Sequence, residues 1–315
     1  MKGFFVTSAT NETFKYGESF VAVPGNELVT AKYTNRVGKP GQGTTGMADE
    51  AILQAAKECA PEIIVYIGSR WGDLLSIPAL KALRKIAPTV HICSDAADQP
   101  WWDLLVEYDK AGAFDLQVAI DGNKNWPLHE TQLTSLTPFD PARYPDPMIA
   151  HAARPILFGY SGNLGGKGSV RKDMMDGMRA LGLQIRERDV TPGVDTYKGF
   201  IEFVVQCRFI ANFPHTGTQK YMHVKGRVVE TGLAGAVLVE QRGAPTQDWF
   251  EPGVDYLEYG SAKEARQIVD HFASRPDESH AMAERMRTKV LRDHGPAQFW
   301  SRITDRVGIR APVAA

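Results

Sequence analysis

Short runs of apolar residues alternate with helical segments along most of the chain. Most of these runs are continuous rather than alternating, which is the pattern of parallel strands covered on both faces. Between them, apolar positions recur at helical spacing, as at Ile52, Ala56 and Cys59. The predicted strands are 3–7, 28–33, 63–67, 89–93, 116–120, 156–160, 184–187, 209–213 and 236–239. This alternation predicts an α/β fold built from βαβ units.

A proline-rich segment separates two sets of predicted strands. Residues 137–147 (TPFDPARYPDP) hold four prolines in eleven positions. Such a run stiffens a connection and excludes helix and central strand. We therefore predict an N-terminal Rossmann-like domain over 1–140, a linker over 141–153 and a C-terminal domain over 154–315. The terminal helix of the second domain is a candidate to pack back on the first.

Composition and charge narrow the class of protein. The 315 residues include 36 lysines and arginines against 37 aspartates and glutamates, so the net charge of −1 excludes the bulk basic surface of a duplex-binding protein. The longest uncharged apolar stretch, 232–239, is far shorter than the ~18 residues of a membrane-spanning helix. The three cysteines, Cys59, Cys93 and Cys207, form no disulfide or zinc pattern. We expect a cytoplasmic protein with no transmembrane segment and no bound metal.

One glycine motif has the letters of the dinucleotide-binding fingerprint but not its context. Gly41, Gly43 and Gly46 have the required spacing, yet residues 35–40 (NRVGKP) separate them from the preceding strand. The fingerprint needs a strand that runs directly into its first glycine, and an acidic residue about 20 positions later. We therefore expect a loop here. Of the functions that the sequence suggests, an NAD-dependent oxidoreductase is a distant third.

A second glycine-rich stretch is better placed to bind a phosphate. Residues 159–168 (GYSGNLGGKG) follow the first strand of the second domain and precede a helix. A loop with Gly162, Asn163 and Gly165 presents open backbone N–H groups, and a helix N-terminus favours an anion. Lys167 and Arg171 add positive charge, which favours a phosphate over a plain tight turn.

The segment 225–240 combines two cations, a carboxylate and a buried strand. Lys225 and Arg227 stand at a predicted helix start, where positive charge opposes the helix dipole unless an anion binds there. Glu230 lies one turn after Arg227, so an intrahelical ion pair is the competing interpretation. The spacing alone does not decide between an anion-binding site and an intrahelical ion pair.

These residues belong to a longer stretch that resembles a known family. The run 225–241 (KGRVVETGLAGAVLVEQ) and the segment 249–295 are similar to the C-terminal domain of group-1-type glycosyltransferases, and most to its CgeB-like (spore maturation) branch. The family's R-x-x-E-x-x-x-x-G core, its F-x-x-G-x-x-x-x-x-Y stretch and its terminal R…H segment correspond here to Arg227, Glu230, Gly235, Phe250, Gly253, Tyr259, Arg292 and His294. The similarity covers most of the chain and is densest over residues 155–295.

The resemblance implies the GT-B fold, in which two Rossmann-like βαβ domains face each other across a cleft and the second holds a nucleotide-sugar donor. By position, Glu230 would bind the donor ribose, while Lys225, Arg227 and the 162–168 loop would surround the diphosphate. The donor would be a UDP-, GDP- or dTDP-sugar, used as substrate with no cofactor. Retaining members of the family carry a second acid where Met222 stands, so the catalytic group is not assigned.

Further candidates follow other strand ends, where α/β sheets place ligand residues. Possible catalytic bases are Asp95, Asp98 and His215, with Thr218 as a further donor ligand and Trp101 and Trp102 as acceptor-side rings. For the tryptophan pair, a place in the core is the competing interpretation, and most single histidines are structural.

The sequence thus predicts a glycosyltransferase that moves a sugar from a nucleotide diphosphate sugar to an unidentified acceptor. Two alternatives stay open. One is a GT-B nucleotide-sugar epimerase or hydrolase, which would turn over the donor without an acceptor. The other is a non-catalytic nucleotide-sugar-binding protein, and a homo-oligomer is compatible with each of them.

Overall fold

The computed structural model of the chain describes residues 1–8, 13–33, 47–67, 75–94, 96–98, 101–120, 122, 131–165, 169–188 and 197–309. The chain divides into two compact units. The first comprises Met1–Asp140 together with Gly295–Ala315, and the second comprises Pro141–His294.

The described part of the first unit contains one parallel sheet with helices on its faces. Its strands are β1 (Lys2–Ser8), β2 (Glu27–Tyr33), β3 (Ile63–Ile67), β4 (Thr89–Cys93), β5 (Leu116–Ala119) and β6 (Gln132–Thr134). Its helices before the second unit are α1 (Thr13–Val21), α2 (Met47–Cys59), α3 (Ile77–Leu83) and α4 (Trp101–Ala111). The strand order is β2-β1-β3-β4-β5-β6, and each of these pairings is parallel.

Alternation along the strands divides the core of this unit into two layers. Phe4 and Ile64 face one side, with apolar residues of α2, α3 and α4. Phe5, Val65 and Ile92 face the other. Because successive residues of a strand point to opposite faces, a continuous apolar run such as Ile63–Ile67 supplies both layers at once.

Helix α10 (Pro296–Arg306) completes the second of these layers. The Trp300 ring lies 5.7 Å from that of Phe5 and 5.0 Å from that of Phe20, between ring centroids. Its indole N–H donates to the Ser19 hydroxyl at 3.1 Å, so the one polar atom of a buried ring is satisfied. The last helix is therefore part of the first unit's core, although it follows the second unit in sequence.

The second unit has its own parallel sheet. Its strands are β7 (Ile156–Tyr160), β8 (Arg186–Glu187), β9 (Cys207–Asn212), β10 (Val237–Gln241) and β11 (Leu257–Tyr259), in the order β11-β10-β9-β7-β8. Its helices are α5 (Val170–Ala180), α6 (Tyr197–Gln206), α7 (Gly226–Ala234), α8 (Ala262–Ala273) and α9 (Pro276–Asp293). The predicted α/β fold class of two parallel sheets with helices is confirmed.

Two buried side chains anchor α7 from its carboxyl end. The Arg154 guanidinium donates to the carbonyls of Cys207 at 2.9 Å and Ala234 at 2.8 Å. His151 Nε2 lies 2.9 Å from the carbonyl of Gly235, and burial lowers the pKa of this imidazole to about 4, which keeps it neutral. The last carbonyls of a helix have no partner within it, so these contacts satisfy groups that would otherwise be buried unpaired.

Gly235 ends α7 in the left-handed conformation, with φ of 65°. A Cβ placed there would lie 1.9 Å from Met148 Sδ, whereas a Cβ at Gly253, with φ of 78°, would meet nothing within 4 Å. Gly235→Ala should therefore lower the free energy of unfolding by about 2–5 kcal/mol, from backbone strain plus overpacking. Gly253→Ala should lower it by only the strain, about 1–2 kcal/mol. Urea unfolding of the two variants measures the difference, and equal losses would contradict the packing described for α7.

Candidate functional site

The carboxyl ends of β7 and β9 carry the loops that open onto the starts of α5 and α7. This edge of a parallel sheet is where α/β proteins bind ligands. The loop after β7 turns at Gly162, with φ of 145°, and at Gly165, with φ of 79°. The Asn163 side-chain oxygen accepts from the Gly165 N–H at 2.7 Å, and the Tyr160 hydroxyl donates to the Asn163 carbonyl at 3.2 Å. Residues 166–168, and with them Lys167, lie outside the described residues.

Arg171, in the first turn of α5, joins this loop to the one after β9. Its guanidinium donates to the Asn163 carbonyl at 3.2 Å, to the Thr216 carbonyl at 3.4 Å, and also to the His215 carbonyl. Its Nε is buried and has no hydrogen-bond partner among the described residues. Arg171 thus contacts two of the other predicted site residues, Asn163 and His215, and it connects the two loops as well as adding positive charge beside them.

Arg227, in the first turn of α7, points towards the same loop. Its guanidinium lies 5.5 Å over the Tyr160 ring, and Nη1 donates to the Asn212 side-chain oxygen at 3.2 Å. A Cβ at Gly162 would lie 2.8 Å from Nη2, so this close approach requires glycine. The Nε of Arg227 is buried without a hydrogen-bond partner in the described structure.

The electrostatics of Arg227 favour an anionic ligand. Burial lowers the pKa of its guanidinium, and the nearby cations Arg171 and Arg188 act in the same direction. A positive charge that is partly stripped of water and close to other cations gains free energy when an anion approaches. The start of α7 adds to this, because its N-cap residue, Lys225, makes no side-chain capping bond to the first N–H groups.

Lys225 contacts a buried histidine beside this helix start. Its ammonium group hydrogen-bonds His223 Nε2, so the ring nitrogen is the acceptor. Burial holds the pKa of His223 well below its usual value, and Lys225 and Arg171 lower it further. His223 is therefore neutral at physiological pH and orients the lysine without competing for an anion. No local pattern in the sequence marks His223 as a site residue.

Glu230 is buried one turn further along α7. The Tyr197 hydroxyl, at the start of α6, hydrogen-bonds the Glu230 carboxylate. Burial raises the pKa of this tyrosine, and the nearby Glu230 raises it further. The hydroxyl oxygens of Tyr144 and Tyr197 lie 2.8 Å apart, which extends the network by one more residue. Glu230 also lies close enough to Arg227 to favour the charged guanidinium. A carboxylate accepts up to about four hydrogen bonds, so Tyr197 leaves capacity for a ligand.

The remaining candidates at the second unit's sheet edge lie in the loop after β9. His215 pairs with Met222 across an antiparallel bridge, and burial, followed by Arg171 and Lys225, lowers the pKa of its imidazole. Thr218 Oγ1 lies 3.2 Å from Thr216 Oγ1. This loop therefore presents a neutral histidine and hydroxyl groups next to the cations.

The acceptor-side candidates belong to the first unit. Asp98 is buried directly before α4, and its carbonyl accepts from the Trp101 N–H at 3.0 Å. Trp101 and Trp102 are half-buried and pack against a cluster that includes Cys93 and Leu105. Both rings therefore have a part in packing. Asp95 and the motif Gly41–Gly46 lie outside the described residues.

A separate cavity of about 800 Å³ lies at the opposite end of the second sheet. It is lined by the amino end of β7 and by the approach to β8, with Arg179, Arg266 and Asp270 at its rim. These side chains are engaged with one another or with neighbours, as in the Arg266–Asp270 pair at 2.6 Å. The unmet donors and the glycine loop lie instead at the carboxyl ends of the strands, and we place the site there.

Two further searches cover only the described part of the chain. None of its helices is long and apolar enough to cross a membrane. It also contains no group of three or more histidine, cysteine, aspartate and glutamate side chains placed to hold a metal ion.

Comparison with known proteins gives two findings: a family model matches one segment of the chain, and solved structures are similar to the whole fold. Residues 183–305 match the family model described as glycosyl transferase-like. Among solved structures, the chain is similar to Anabaena Alr3699/HepE in complex with UDP-glucose, at 14% identity and a TM-score of 0.63, covering 98% of this chain and 99% of that one. It is similar to an alpha-glucosyltransferase in complex with UDP and mismatched DNA, at 9% identity and a TM-score of 0.70, covering 98% and 100%. The chain is also similar to sucrose-phosphate synthase from Thermosynechococcus elongatus, at 9% identity and a TM-score of 0.61, covering 98% of this chain and 99% of that one.

No curated protein matches the chain. The structural similarity extends over nearly the whole length of each neighbour and shows that the chain has the GT-B fold. Within that fold, the match to the glycosyl transferase-like family model covers residues 183–305, which include Arg227 and Glu230. The predicted GT-B architecture is confirmed, and so is the glycosyltransferase resemblance at the level of this family model.

Proposed function

We propose that the chain is a glycosyltransferase that transfers a sugar from a nucleoside diphosphate sugar to an acceptor. The observation that carries the proposal is the start of α7. There an uncapped helix N-terminus, Arg227 with its unmet Nε donor, and the buried carboxylate of Glu230 lie within one helical turn of each other. A nucleotide presents the complementary groups, since its diphosphate is an anion and its ribose has two adjacent hydroxyl donors.

In this proposal each residue has a separate role. Glu230 accepts from the ribose hydroxyls, with Tyr197 fixing its carboxylate. The diphosphate lies against Lys225, Arg227 and the loop of Gly162, Asn163 and Gly165, with Lys167, Arg171 and Thr218 as further ligands. As the bond from the anomeric carbon to the diphosphate breaks, negative charge develops on the leaving oxygen. The cations and the α7 dipole stabilise that charge electrostatically.

The catalytic base and the acceptor site are left open in the proposal. Asp95, Asp98 and His215 stay candidates for the base, and Trp101 and Trp102 stay candidates for the acceptor side. Met222 is not an acid, so no residue of this chain is offered for the role that a second carboxylate plays in retaining relatives.

The donor, the branch of the family and the location in the cell are each proposed on a separate observation. The structural neighbours that hold UDP or UDP-glucose support a uridine donor and a hexosyl group as the first to test. The CgeB-like branch rests on the sequence motif from Arg227 to His294 alone. A cytoplasmic location is supported by Cys59, Cys93 and Cys207, which are all buried free thiols.

A thermal-shift panel tests the proposal. The protein is heated with UDP, GDP, dTDP, CMP or NAD, and at least one nucleoside diphosphate should raise the melting temperature. A ligand at about 100 times its Kd adds about 2.7 kcal/mol to the stability of the folded state. NAD should give no shift, because the glycine motif Gly41–Gly46 lacks the preceding strand and the following acidic residue of a dinucleotide site. A shift with NAD alone would contradict the proposal and favour an oxidoreductase.

A further inference from the structure

A buried carboxyl group lies behind the proposed diphosphate site. Glu240, near the carboxyl end of β10, is fully buried. Its Oε1 accepts from Asn212 Nδ2 at 2.6 Å. Burial raises the pKa of Glu240 to about 7, and the neighbouring Glu258 also raises it, whereas Thr246, Asn212 and Arg227 favour the charged form. Burying an ionisable group costs free energy, so the burial of Glu240 next to the site needs a physical explanation.

Asn212 joins this carboxyl group to Arg227. Its Nδ2 faces Glu240, and its Oδ1 accepts from Arg227 Nη1 at 3.2 Å. A carboxylate can only accept hydrogen bonds, so it requires the NH₂ end of the amide to point towards it. The amide oxygen must then point at Arg227. Glu240 thereby selects the one of two amide orientations in which Asn212 attracts the guanidinium.

The guanidinium is held from two further sides. Its plane lies over the Tyr160 ring, and its Nη2 end reaches the bend at Gly162. With Nη1 bonded to Asn212, the side chain has one orientation, and its Nε is left without a partner among the described residues. A preorganised cation loses less entropy when it binds a phosphate than one that must first be ordered.

We propose that Glu240 is a positioning residue for the nucleoside diphosphate: through Asn212 it fixes Arg227 in the orientation that meets the diphosphate. This inference rests on the proposed function and adds a residue that touches neither substrate nor reacting atoms. It also separates the hydrogen-bond role of Glu240 from its charge, because an amide oxygen at the same place can accept the bond from Asn212.

The test compares two replacements of Glu240 in the full chain, with UDP binding measured by calorimetry at mildly alkaline pH. Glu240→Gln keeps an acceptor and should bind UDP within about twofold of the parent. Glu240→Met keeps the length but cannot accept, so Asn212 loses its orientation and UDP should bind about tenfold more weakly, the scale of one lost bond to a charged group. The melting temperature should fall in Glu240→Met, because the buried NH₂ group of Asn212 loses its acceptor, so affinities are compared in protein shown to be folded.

A matched control is available on the next strand. Glu258 pairs in register with Glu240, and its carboxylate accepts from the Tyr256 hydroxyl at 2.8 Å. Glu258→Met makes the same chemical change beside the network and should leave UDP affinity at the parent value. Asn212→Ala removes the connection itself and should reproduce the tenfold loss of Glu240→Met, also where Glu240→Met yields too little folded protein.

The outcomes separate this inference from the proposed function. Parent-like affinity in Glu240→Met and Asn212→Ala, in a protein that binds UDP and loses it in Arg227→Ala, would overturn the inference alone. Equal loss in Glu240→Gln and Glu240→Met would also overturn it, since charge and not orientation would then decide. If the parent binds no nucleoside diphosphate at all, the proposed function fails and the inference with it.

Discussion

Glu230→Gln is expected to weaken binding of a ribonucleoside diphosphate by about 1.5–3 kcal/mol, or roughly 10- to 150-fold, while the melting temperature barely moves. The carboxylate accepts from both ribose hydroxyls, whereas the amide offers one acceptor oxygen and a donor that opposes the second hydroxyl. The side chain keeps its shape, and the amide oxygen still accepts from Tyr197, so the packing of α7 is preserved. Calorimetry gives the affinity and a thermal scan the stability.

A dideoxy analogue isolates the ribose contact. A 2′,3′-dideoxynucleoside diphosphate lacks both hydroxyls, so it should bind the parent and Glu230→Gln almost equally. The competing interpretation, an intrahelical Arg227–Glu230 pair, predicts a loss of stability of at most ~0.5 kcal/mol and unchanged nucleotide binding. If Glu230→Gln still discriminates against the analogue as strongly as the parent does, Glu230 is not the ribose ligand.

Arg227→Ala should have the second large effect. The variant loses a charge-assisted bond to the diphosphate, worth about 1.5–3 kcal/mol of binding free energy. Its fold should lose about 1–3 kcal/mol of stability, because the variant gives up the hydrogen bond to Asn212 and the ring contact with Tyr160. Calorimetric titration with UDP measures the loss.

Arg266→Ala is the matched control for Arg227→Ala. It removes an arginine that lines the cavity at the opposite end of the second sheet, where Arg266 pairs with Asp270. UDP affinity should be unchanged in this variant. A loss in Arg266→Ala together with parent-like binding in Arg227→Ala would move the nucleotide site to the opposite end of the sheet.

Much of the fold could be predicted from local pattern. Continuous apolar runs such as Ile63–Ile67 and residues 236–239 indicate parallel strands, and the structure buries both in its sheets. The short strands β6 and β11, with three residues each, carry too few positions for a period to show, whereas β8 lies within the predicted strand 184–187. The packing of α10 in the first unit depends on contacts distant in sequence, such as the Trp300–Ser19 bond.

The candidate site divides in the same way. Gly162, Arg227 and Glu230 could be chosen from the sequence because glycines after a strand and cations at a helix start are local signals. Tyr197, Asn212 and Glu240 could not, since what defines them is a partner far along the chain. Asn212 is 28 residues from Glu240, and only the parallel pairing of β9 with β10 brings them together. Glu240 also looks like an ordinary strand-end residue in the sequence.

The most direct test of the central claim is a crystal structure of the protein with the nucleoside diphosphate that stabilises it most. The ribose hydroxyls should lie at hydrogen-bond distance from the Glu230 carboxylate, about 2.6–3.0 Å, with the diphosphate against Arg227 and the Gly162–Gly165 loop. A nucleotide bound instead in the cavity beside Arg266, or with its ribose away from Glu230, would contradict the assignment of this site.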